Sequence, residues 1–228
     1  MGGRGVAGTG RALDPAEVAF FAGLQTILFR KKERLPNKAS MICAVDAAYH
    51  GDRVAAAASV FHEGQLVEKS SYAGSCSLSY LSGLFYLREG PFVTEVVRRL
   101  NVRPQLLCFD AHGAAHPRSA GLATIAGMIV GIPSVGIAKS LLVGVVASGG
   151  GGLDRIVYDG KTVGFVTRMN GVARYWSAGY SIGLGRLECL ARRYAPICLR
   201  AMSESDRTAR EQIRAATVVH RTSDSVRT

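Results

Sequence analysis

The sequence lacks the features of secreted, membrane-spanning and zinc-binding proteins. Its five cysteines are odd in number and none forms a Cys-x-x-Cys pair, which argues against a disulfide framework and against a zinc site. No apolar run approaches the length of a membrane span, and the Gly-rich segment 1–10 has no apolar core like that of a signal peptide. We therefore expect a cytoplasmic protein in a reducing compartment that does not bind a membrane.

Acidic residues are outnumbered by basic ones. Asp and Glu total 17 against 28 Lys and Arg, which gives a formal net charge of +11 at pH 7 and a pI near 9.8. Such a charge is typical of proteins that bind phosphate backbones. A generally basic soluble protein is the alternative, because the basic residues are spread along the chain.

Length and hydrophobicity predict one domain. With 228 residues, 48% of them hydrophobic, the chain can bury a full core. The Gly-rich start predicts a flexible tail over residues 1–13, and the polar end predicts a disordered tail over residues 219–228. Residues 14–218 are expected to form the domain.

The stretch 106–139 is the most informative part of the chain. An apolar segment, 106–109, stops at Asp110, and a polar loop, a helix-like segment and a second apolar run follow before Lys139. This order predicts a βαβ unit, in which a crossover helix joins two parallel strands. Ligands of such units bind at the carboxyl ends of the strands. We therefore expect Asp110 and Lys139 to lie at one rim.

A second apolar run, 41–45, ends at Asp46. A single aspartate that closes a strand usually only caps a turn, but two buried strands that each end in an aspartate predict paired carboxylates at one edge. Mg²⁺ takes oxygen ligands of this kind, so metal binding is the leading hypothesis. Glu89, beside an apolar helical pattern, is the third candidate carboxylate, with an ordinary solvent-facing helix acid as the alternative.

The order of the predicted elements indicates the fold class. Three apolar segments between residues 41 and 73 predict an antiparallel meander, and a helix, a strand, a helix and a strand follow up to Lys139. This is the order of an RNase H-like α/β domain, with a mixed central sheet (an antiparallel meander followed by parallel strands) flanked by helices. Short strands between 156 and 177 and helices over Leu184–Tyr194 and Ser203–Ala215 complete the prediction. Fold alone does not fix function.

Two further features each allow two interpretations. The basic cluster 30–34 follows a predicted helix that opens at Asp14-Pro15, and it either balances the helix dipole or contacts phosphate. Tyr80, in a Ser/Gly-rich loop, is either a packing anchor or a platform on which a base stacks. The residues alone leave both choices open.

Several segments together resemble the endonuclease V family, nucleases that act on deaminated purines in nucleic acids. The matching segments are VDAAY (45–49), SYLSGLFYLRE (79–89), DAHGAAHPRSAGLA (110–123), IPSVGIAKSLLVG (132–144) and, more weakly, WSAGYSIGLGRLECLA (176–191). They occur in the family's order over nearly all of the foldable chain. The specific part is the joint occurrence of the segments around Asp110, His116 and Lys139.

The resemblance implies an RNase H-like fold and Mg²⁺-dependent hydrolysis of the second phosphodiester bond 3′ to inosine, with Mn²⁺ able to substitute. The substrate would be inosine-containing DNA, or alternatively RNA, in DNA repair or inosine-RNA processing, and the products would carry 5′-phosphates. We expect the protein to act as a monomer.

The resemblance also implies roles for individual residues. Asp46, Asp110 and Glu89 would bind the metal and, with Lys139 near the scissile phosphate, form the catalytic group. Tyr80 would be the wedge that fills the gap left by an extruded base. Gly83, Gly113, His116, Gly136 and Ala138 would line the pocket for the flipped hypoxanthine, and Arg118 would be a further nucleic-acid contact.

The sequence departs from the family pattern at several places. Ser79 and Ser82 flank the wedge where prolines are usual, Ala111 replaces a glycine, and Thr124 and Tyr180 each replace a histidine. A further metal-binding His or Asp has no evident match near Ser203, where Glu204 and Asp206 are the acidic candidates.

Because the three carboxylates and Lys139 are intact, the sequence predicts nuclease activity. A non-catalytic binder of altered or single-stranded nucleic acid is the alternative, and its affinity would depend on phosphate contacts rather than on the carboxylates. A third interpretation is another RNase H-like nuclease for branched or flap structures, which would share the acids but would not need Tyr80.

Overall fold

The computed structural model describes residues 11–27, 39–79 and 81–224, with side chains described as far as residue 217. The helices are α1 (Pro15–Ile27), α2 (Phe85–Arg98), α3 (Leu122–Val130), α4 (Leu184–Arg193) and α5 (Ala195–Asp224). The strands are β1 (Met41–His50), β2 (Arg53–His62), β3 (Gln65–Ser75), β4 (Leu106–Phe109), β5 (Ser134–Ala138), β6 (Val145–Ala147), β7 (Asp154–Tyr158), β8 (Lys161–Met169) and β9 (Val172–Ala178). Among the described residues, no helix is both long and apolar enough to cross a membrane.

The strands form one sheet in the order β3-β2-β1-β4-β5-β9-β8-β7-β6. The first three form an antiparallel meander, β4 pairs in parallel with β1, and β5 pairs in parallel with β4. β9 then joins β5 in antiparallel orientation, and the remaining strands continue that pattern. The predicted fold class, a mixed sheet with a meander followed by parallel strands, is confirmed.

Local turn chemistry fixes the register of the later hairpins. Asp159 and Gly160 join β7 to β8, and Asn170 and Gly171 join β8 to β9. All four have positive φ, between 49° and 76°, which is the geometry of a two-residue type I′ turn. Asp-Gly and Asn-Gly pairs favour that turn because both residues tolerate the left-handed region.

Helices cover both faces of the sheet. Successive side chains of β1 alternate between two cores, so Ile42 and Ala44 pack with α4 and α5, whereas Cys43 and Val45 pack with α2 and α3. Burial on both sides explains why β1 and β4 read as continuous apolar runs in the sequence. It also means that a polar side chain can be exposed only where these strands end.

Helix α5 differs from the prediction at both ends. It begins at Ala195, not at Ser203, and it runs to Asp224, beyond the start of the expected disordered tail at residue 219. Pro196 explains the start, because proline is favoured in the first turn of a helix, where its missing N–H costs nothing. Ser203 is therefore inside the helix and is not its N-cap.

The position of α5 on the sheet is fixed by a buried hydroxyl. Ser205 is fully buried, and its Oγ donates a 2.9 Å hydrogen bond to the carbonyl of Ala44 in β1. The helix lies across β1 and β2, where Ala55 and Ala57 are fully buried on the face opposite to Ala56 and Ala58, and their small side chains let it approach closely. The next residue, Asp206, is thereby held beside the end of β1.

Candidate active site

Asp46 and Asp110 emerge from neighbouring parallel strands. In the β1–β4 register Val45 is opposite Phe109, so the residues that follow them, the two aspartates, are adjacent. The Asp110 N–H donates a 3.2 Å hydrogen bond to the carbonyl of Val45. β4 ends just before Asp110, whereas β1 continues past Asp46 to His50 because β2 still pairs with it.

The two aspartates interact electrostatically. Asp46 is only 9% exposed, and its pKa is raised to about 7, first because burial disfavours the charged form and second because the Asp110 carboxylate lies nearby. Lys139 opposes this shift. The positive charge near Asp46 is therefore too small to keep its carboxyl group at an ordinary pKa.

Lys139 reaches the same place from the end of β5. Its Nζ forms an ion pair with Oδ2 of Asp110, and just over half of its side chain is exposed. Burial is the largest single effect and lowers the pKa of Lys139, but the hydrogen bond to Asp110 and the charges of the nearby aspartates together outweigh it, and the pKa is raised overall. The shared rim that the βαβ pattern predicted for Asp110 and Lys139 is present.

Glu89 reaches the centre from helix α2. It is 6% exposed, so the solvent-facing alternative is wrong. The Tyr49 hydroxyl donates a 2.5 Å hydrogen bond to Oε1 of Glu89. Its pKa is raised to about 8 by burial, although the bond from Tyr49 lowers it; the charges of Asp46 and Asp110 raise it further.

A fourth acid, Asp206, comes from helix α5. Its carboxylate forms a 2.9 Å ion pair with Nε of Arg210 one turn later. Glu204, the other acidic candidate, points away and pairs with Lys69 and Arg207. The sequence alone did not distinguish the two acids, because the helix was predicted to start at Ser203. In the structure Met202, Ser205 and Ala209 are buried at helical spacing, and Asp206 lies beside that buried face.

These side chains converge on one depression, which we call the acidic cleft. It has a volume of about 490 Å³ and is lined by Asp46, Tyr49, Glu89, Asp110, Lys139, Asp206, Arg210 and Arg214, among others. Within the described part of the chain, no three His, Cys, Asp or Glu side chains are yet gathered closely enough to hold a metal ion. Their donors are nonetheless carboxylate oxygens, which suit a hard divalent cation.

A second depression, the side cavity, adjoins the acidic cleft and shares Asp110 and Lys139 with it. It has a volume of about 320 Å³, and its lining includes Gln25, Gly83, Phe85, Tyr86, Ala111, His112, His116, Leu122 and Ala138. Of the predicted nucleic-acid contacts, Gly83, His116 and Ala138 therefore lie here. His112 is a lining residue that the sequence interpretation missed, although it stands two residues from Asp110.

Gly113 and Gly136 do not line the side cavity. A Cβ on Gly113 would lie 2.1 Å from the carbonyl oxygen of Ala178, and one on Gly136 would lie 2.3 Å from that of Ala111. Both contacts are far shorter than any real Cβ contact. These glycines are needed for backbone packing behind the site, and their approach to a base stays a prediction.

Arg118 supports the wall of the side cavity. Its Nη2 donates a 2.5 Å hydrogen bond to the Gly83 carbonyl, and its Nε donates to Oε1 of Gln25. The Gln25 amide in turn donates to the carbonyls of Gly83 and Ala120, at 3.1 and 2.8 Å. The guanidinium is thus used inside the protein, and its contact with nucleic acid stays a prediction.

His116 is buried and uncharged at neutral pH. Burial and the charge of Arg118 lower its pKa to about 4, while a hydrogen bond with the Gly83 carbonyl acts in the opposite direction. Its Nδ1 accepts a 3.2 Å hydrogen bond from the backbone N–H of Arg118. The proton of the neutral ring is therefore assigned to Nε2.

Two predicted features, Tyr80 and the basic cluster 30–34, lie outside the described residues.

The sequence was compared with models of protein families. Residues 26–196, which include Asp46, Glu89, Asp110 and Lys139 and most of the lining of the side cavity, match the model of endonuclease V. The chain belongs to the endonuclease V family.

Curated relatives agree with this assignment. The chain is 42% identical over 114 residues to endonuclease V of Geotalea uraniireducens, a stretch that covers 49% of either chain. It is 33% identical over 172 residues to endonuclease V of Roseiflexus castenholzii, which covers 70% of this chain and 78% of that one. The matched stretches span about half the length, or less, of the first relatives found.

Solved endonuclease V structures have the same fold. The crystal structure from Streptomyces avermitilis superposes with a TM-score of 0.78 at 26% identity and covers 90% of this chain and 95% of that one. At 16% identity, the Ciona intestinalis enzyme gives a TM-score of 0.76 and covers 90% of this chain and 100% of that one. That structure contains a 23-mer DNA with an inosine followed by a ribo-adenosine.

Two departures from the endonuclease V pattern can now be placed. Ala111 is 7% exposed, and it is part of the wall of the side cavity. Tyr180 is buried under α3, where its backbone N–H donates a 2.8 Å hydrogen bond to Oγ of Ser134. Ala111 thus narrows the side cavity, whereas Tyr180 lines neither depression.

Proposed function

We propose that this protein is a divalent-metal-dependent endonuclease that recognises inosine in nucleic acid and hydrolyses the second phosphodiester bond 3′ to it, leaving a 5′-phosphate. One observation carries this proposal: the acidic cleft and the side cavity share Asp110 and Lys139. A base held in the side cavity would bring the phosphates of the same strand to the carboxylates.

Asp46, Glu89 and Asp110 would hold the cation, with Asp206 as a fourth ligand. The donors are all carboxylates, so we propose Mg²⁺, with Mn²⁺ able to substitute. When bound, the cation would polarise a phosphoryl oxygen and lower the pKa of a water molecule. It would also relieve the repulsion that, in addition to the larger effect of burial, raises the pKa of Asp46 and of Glu89.

Lys139 would stabilise the phosphate directly. Just over half of its side chain is exposed to the acidic cleft, and its ion pair with Asp110 holds the ammonium beside the carboxylates. A cation bound to Asp110 would compete for that carboxylate and free the ammonium for the phosphate. A positive charge fixed at this point would neutralise the charge that develops as the bond breaks.

The side cavity would hold the extruded base. An enzyme that inspects the edge of a base must take it out of the stack, and the cavity offers the aromatic walls of Phe85 and Tyr86 beside the neutral His116. The inosine-containing DNA bound to the Ciona intestinalis relative supports this choice of base. We propose DNA as the substrate, with RNA as the alternative, and a monomer as the active form.

A cleavage assay tests the proposal. Purified protein with Mg²⁺ or Mn²⁺ is expected to nick a 5′-labelled oligonucleotide with one inosine, at the second bond 3′ to it, and to leave the adenosine version intact. Asp110→Asn and Asp46→Asn are each expected to lose at least about a hundredfold in rate.

The same assay distinguishes the alternative function. Absence of cleavage by the wild-type protein, together with tight binding that persists in both aspartate variants, would identify a non-catalytic binder instead. Equal cleavage of the inosine and adenosine oligonucleotides would contradict the proposed role of the side cavity.

A further inference from the structure

Arg174 lies next to the catalytic centre with most of its donors unused. It is on β9, half-buried, and its recorded hydrogen bond is a 3.0 Å contact from Nη1 to the carbonyl of Ala173. Among the described residues, no carboxylate lies within ion-pair distance of it. A half-buried guanidinium in this state favours an anionic ligand, because it has five donors in a planar fork.

Strand register places Arg174 beside Lys139. Ala138 of β5 is opposite Tyr175 of β9, so the next residues along the two antiparallel strands are Lys139 and Arg174. Arg174 and Trp176 are two residues apart on β9, so their side chains point to the same face of the sheet. Trp176 is fully buried on that face, in the core under α4 and α5. The Arg174 side chain therefore emerges on the α5 side of the sheet.

On that side Arg174 lines a third depression, which we call the arginine cavity. It has a volume of about 200 Å³, and its lining includes Asp46, Asp110, Lys139, Arg174, Asp206 and Arg210. Asp110 and Lys139 also border the side cavity. The catalytic centre therefore lies between the side cavity on one flank and the arginine cavity on the other.

The three cations of the arginine cavity are not equivalent. Lys139 is paired with Asp110, and Arg210 is paired with Asp206. Arg174 alone of the three has no recorded carboxylate partner within the described residues. It is consequently the group with donors available to a phosphate oxygen.

We propose that the arginine cavity is a phosphate subsite in which Arg174 binds the nucleic-acid backbone on the 3′ side of the scissile bond. The inference rests on the proposed function, because it takes the direction of the strand from it. A strand whose inosine occupies the side cavity passes the carboxylates and then continues 3′ towards Arg174. This segment becomes the product with the 5′-phosphate.

Binding measurements on two oligonucleotides test the subsite. Both contain inosine; one ends at the scissile phosphate, and the other continues for several nucleotides beyond it. With a chelator present, so that no cleavage occurs, Arg174→Gln is expected to weaken binding of the long oligonucleotide by roughly tenfold. The slope of log affinity against log salt concentration should fall by about one for the long oligonucleotide. Binding of the short oligonucleotide should not change.

Arg155→Gln is the matched control. Arg155 is exposed on β7 in the same sheet, so the substitution removes the same charge at a position that lines none of the three depressions described. It is expected to leave the affinity for both oligonucleotides within about twofold of wild type. Thermal melting of both variants checks that each is folded, and Arg174→Lys, which keeps the charge, is expected to retain the salt dependence.

Two results would overturn the proposed subsite. Arg174→Gln would weaken binding of the long and short oligonucleotides equally, or it would weaken binding of neither. Failure of the proposed function itself would be seen separately, because the wild-type protein with Mg²⁺ would then not cleave the long inosine oligonucleotide. That result would also rule out the subsite.

Discussion

The hydroxyl of Tyr49 donates a 2.5 Å hydrogen bond to Oε1 of the buried Glu89. The ring of Tyr49 is itself held, because the guanidinium of Arg88 lies 5.1 Å from its centroid and also donates to the carbonyls of Leu78 and Gly51. Tyr49 of β1 therefore positions Glu89, and Arg88 of α2 in turn holds Tyr49. The bond favours the charged carboxylate, which is the form that binds a cation.

Replacement of Tyr49 by Phe should shift the pH dependence of cleavage. The pKa of Glu89 is about 8, a value set by burial and lowered by this bond. Loss of the bond raises that pKa, so the rise of kcat/KM with pH is expected to move upward by about one unit. Tyr158→Phe, on β7 and outside the acidic cleft, is the control. An unchanged profile in Tyr49→Phe would show that the hydrogen bond does not act on the ionisation of Glu89.

The metal-free protein should lose stability as the pH rises from 5 to 8. Asp46 and Glu89 have pKa values of about 7 and 8 in the folded protein, above those of carboxyls in an unfolded chain. These two carboxyls therefore bind more protons in the folded state in this window and lower the free energy of unfolding as the pH rises. His112 and His116, whose pKa values are lowered by burial, act in the opposite direction in the lower part of the window, so the net fall is on the order of a few kcal/mol. Acids with lowered pKa, such as Glu68 and Glu204, titrate below the window.

Urea unfolding with a chelator at pH 5 and pH 8 measures this change. Asp46→Asn is expected to reduce the pH dependence and to be more stable than wild type at pH 8. Addition of Mg²⁺ at pH 8 should stabilise the wild type and not the variant. Wild-type stability that rises between pH 5 and pH 8 with a chelator present would contradict the assignment.

Gly113→Ala should destabilise the protein by about 2 kcal/mol or more, because its Cβ would lie 2.1 Å from the Ala178 carbonyl oxygen. Gly185, in helix α4, has no atom within 4 Å of the corresponding position. Gly185→Ala is the matched control and should stabilise the helix slightly. Thermal or urea unfolding compares the two, and equal effects would show that the loop behind Gly113 can move.

Arg118→Lys should weaken selection of inosine. Lysine keeps the charge but cannot hold the Gly83 carbonyl and Gln25 at once, so the wall of the side cavity would loosen. We expect kcat/KM on the inosine oligonucleotide to fall by about tenfold. Arg103→Lys is the control, because the one hydrogen bond of Arg103 among the described residues is a long 3.5 Å contact with the carbonyl of Gly131. Similar values for both variants would exclude a positioning role for Arg118.

Local patterns were sufficient to predict where two carboxylates emerge but not where β1 ends, because the apolar run predicted an end at Asp46 and the strand continues to His50. Continuous apolar runs that stop at an aspartate predicted where Asp46 and Asp110 emerge. Both signals are read from a few consecutive residues, so no distant part of the chain can alter them.

Other features depend on contacts that sequence spacing does not show. The backbone atoms that exclude a side chain at Gly136 come from a different loop, and the partners of Arg118 come from α1 and from the Gly83 turn. Asp206 faces the acidic cleft because of where α5 begins and how Ser205 bonds to β1. In each case the deciding neighbour is remote in sequence.

The bond between Ser205 and Ala44 constrains evolution of the helix as well as its packing. An α-helix turns about 100° per residue, so a single insertion between Ala195 and Ser205 would carry Asp206 roughly a quarter of the way around the helix axis. The same rotation would turn the buried Ser205 and Ala209 away from the core. The number of residues before Ser205 is therefore set by the packing of α5 and by the position of Asp206 at the cleft together.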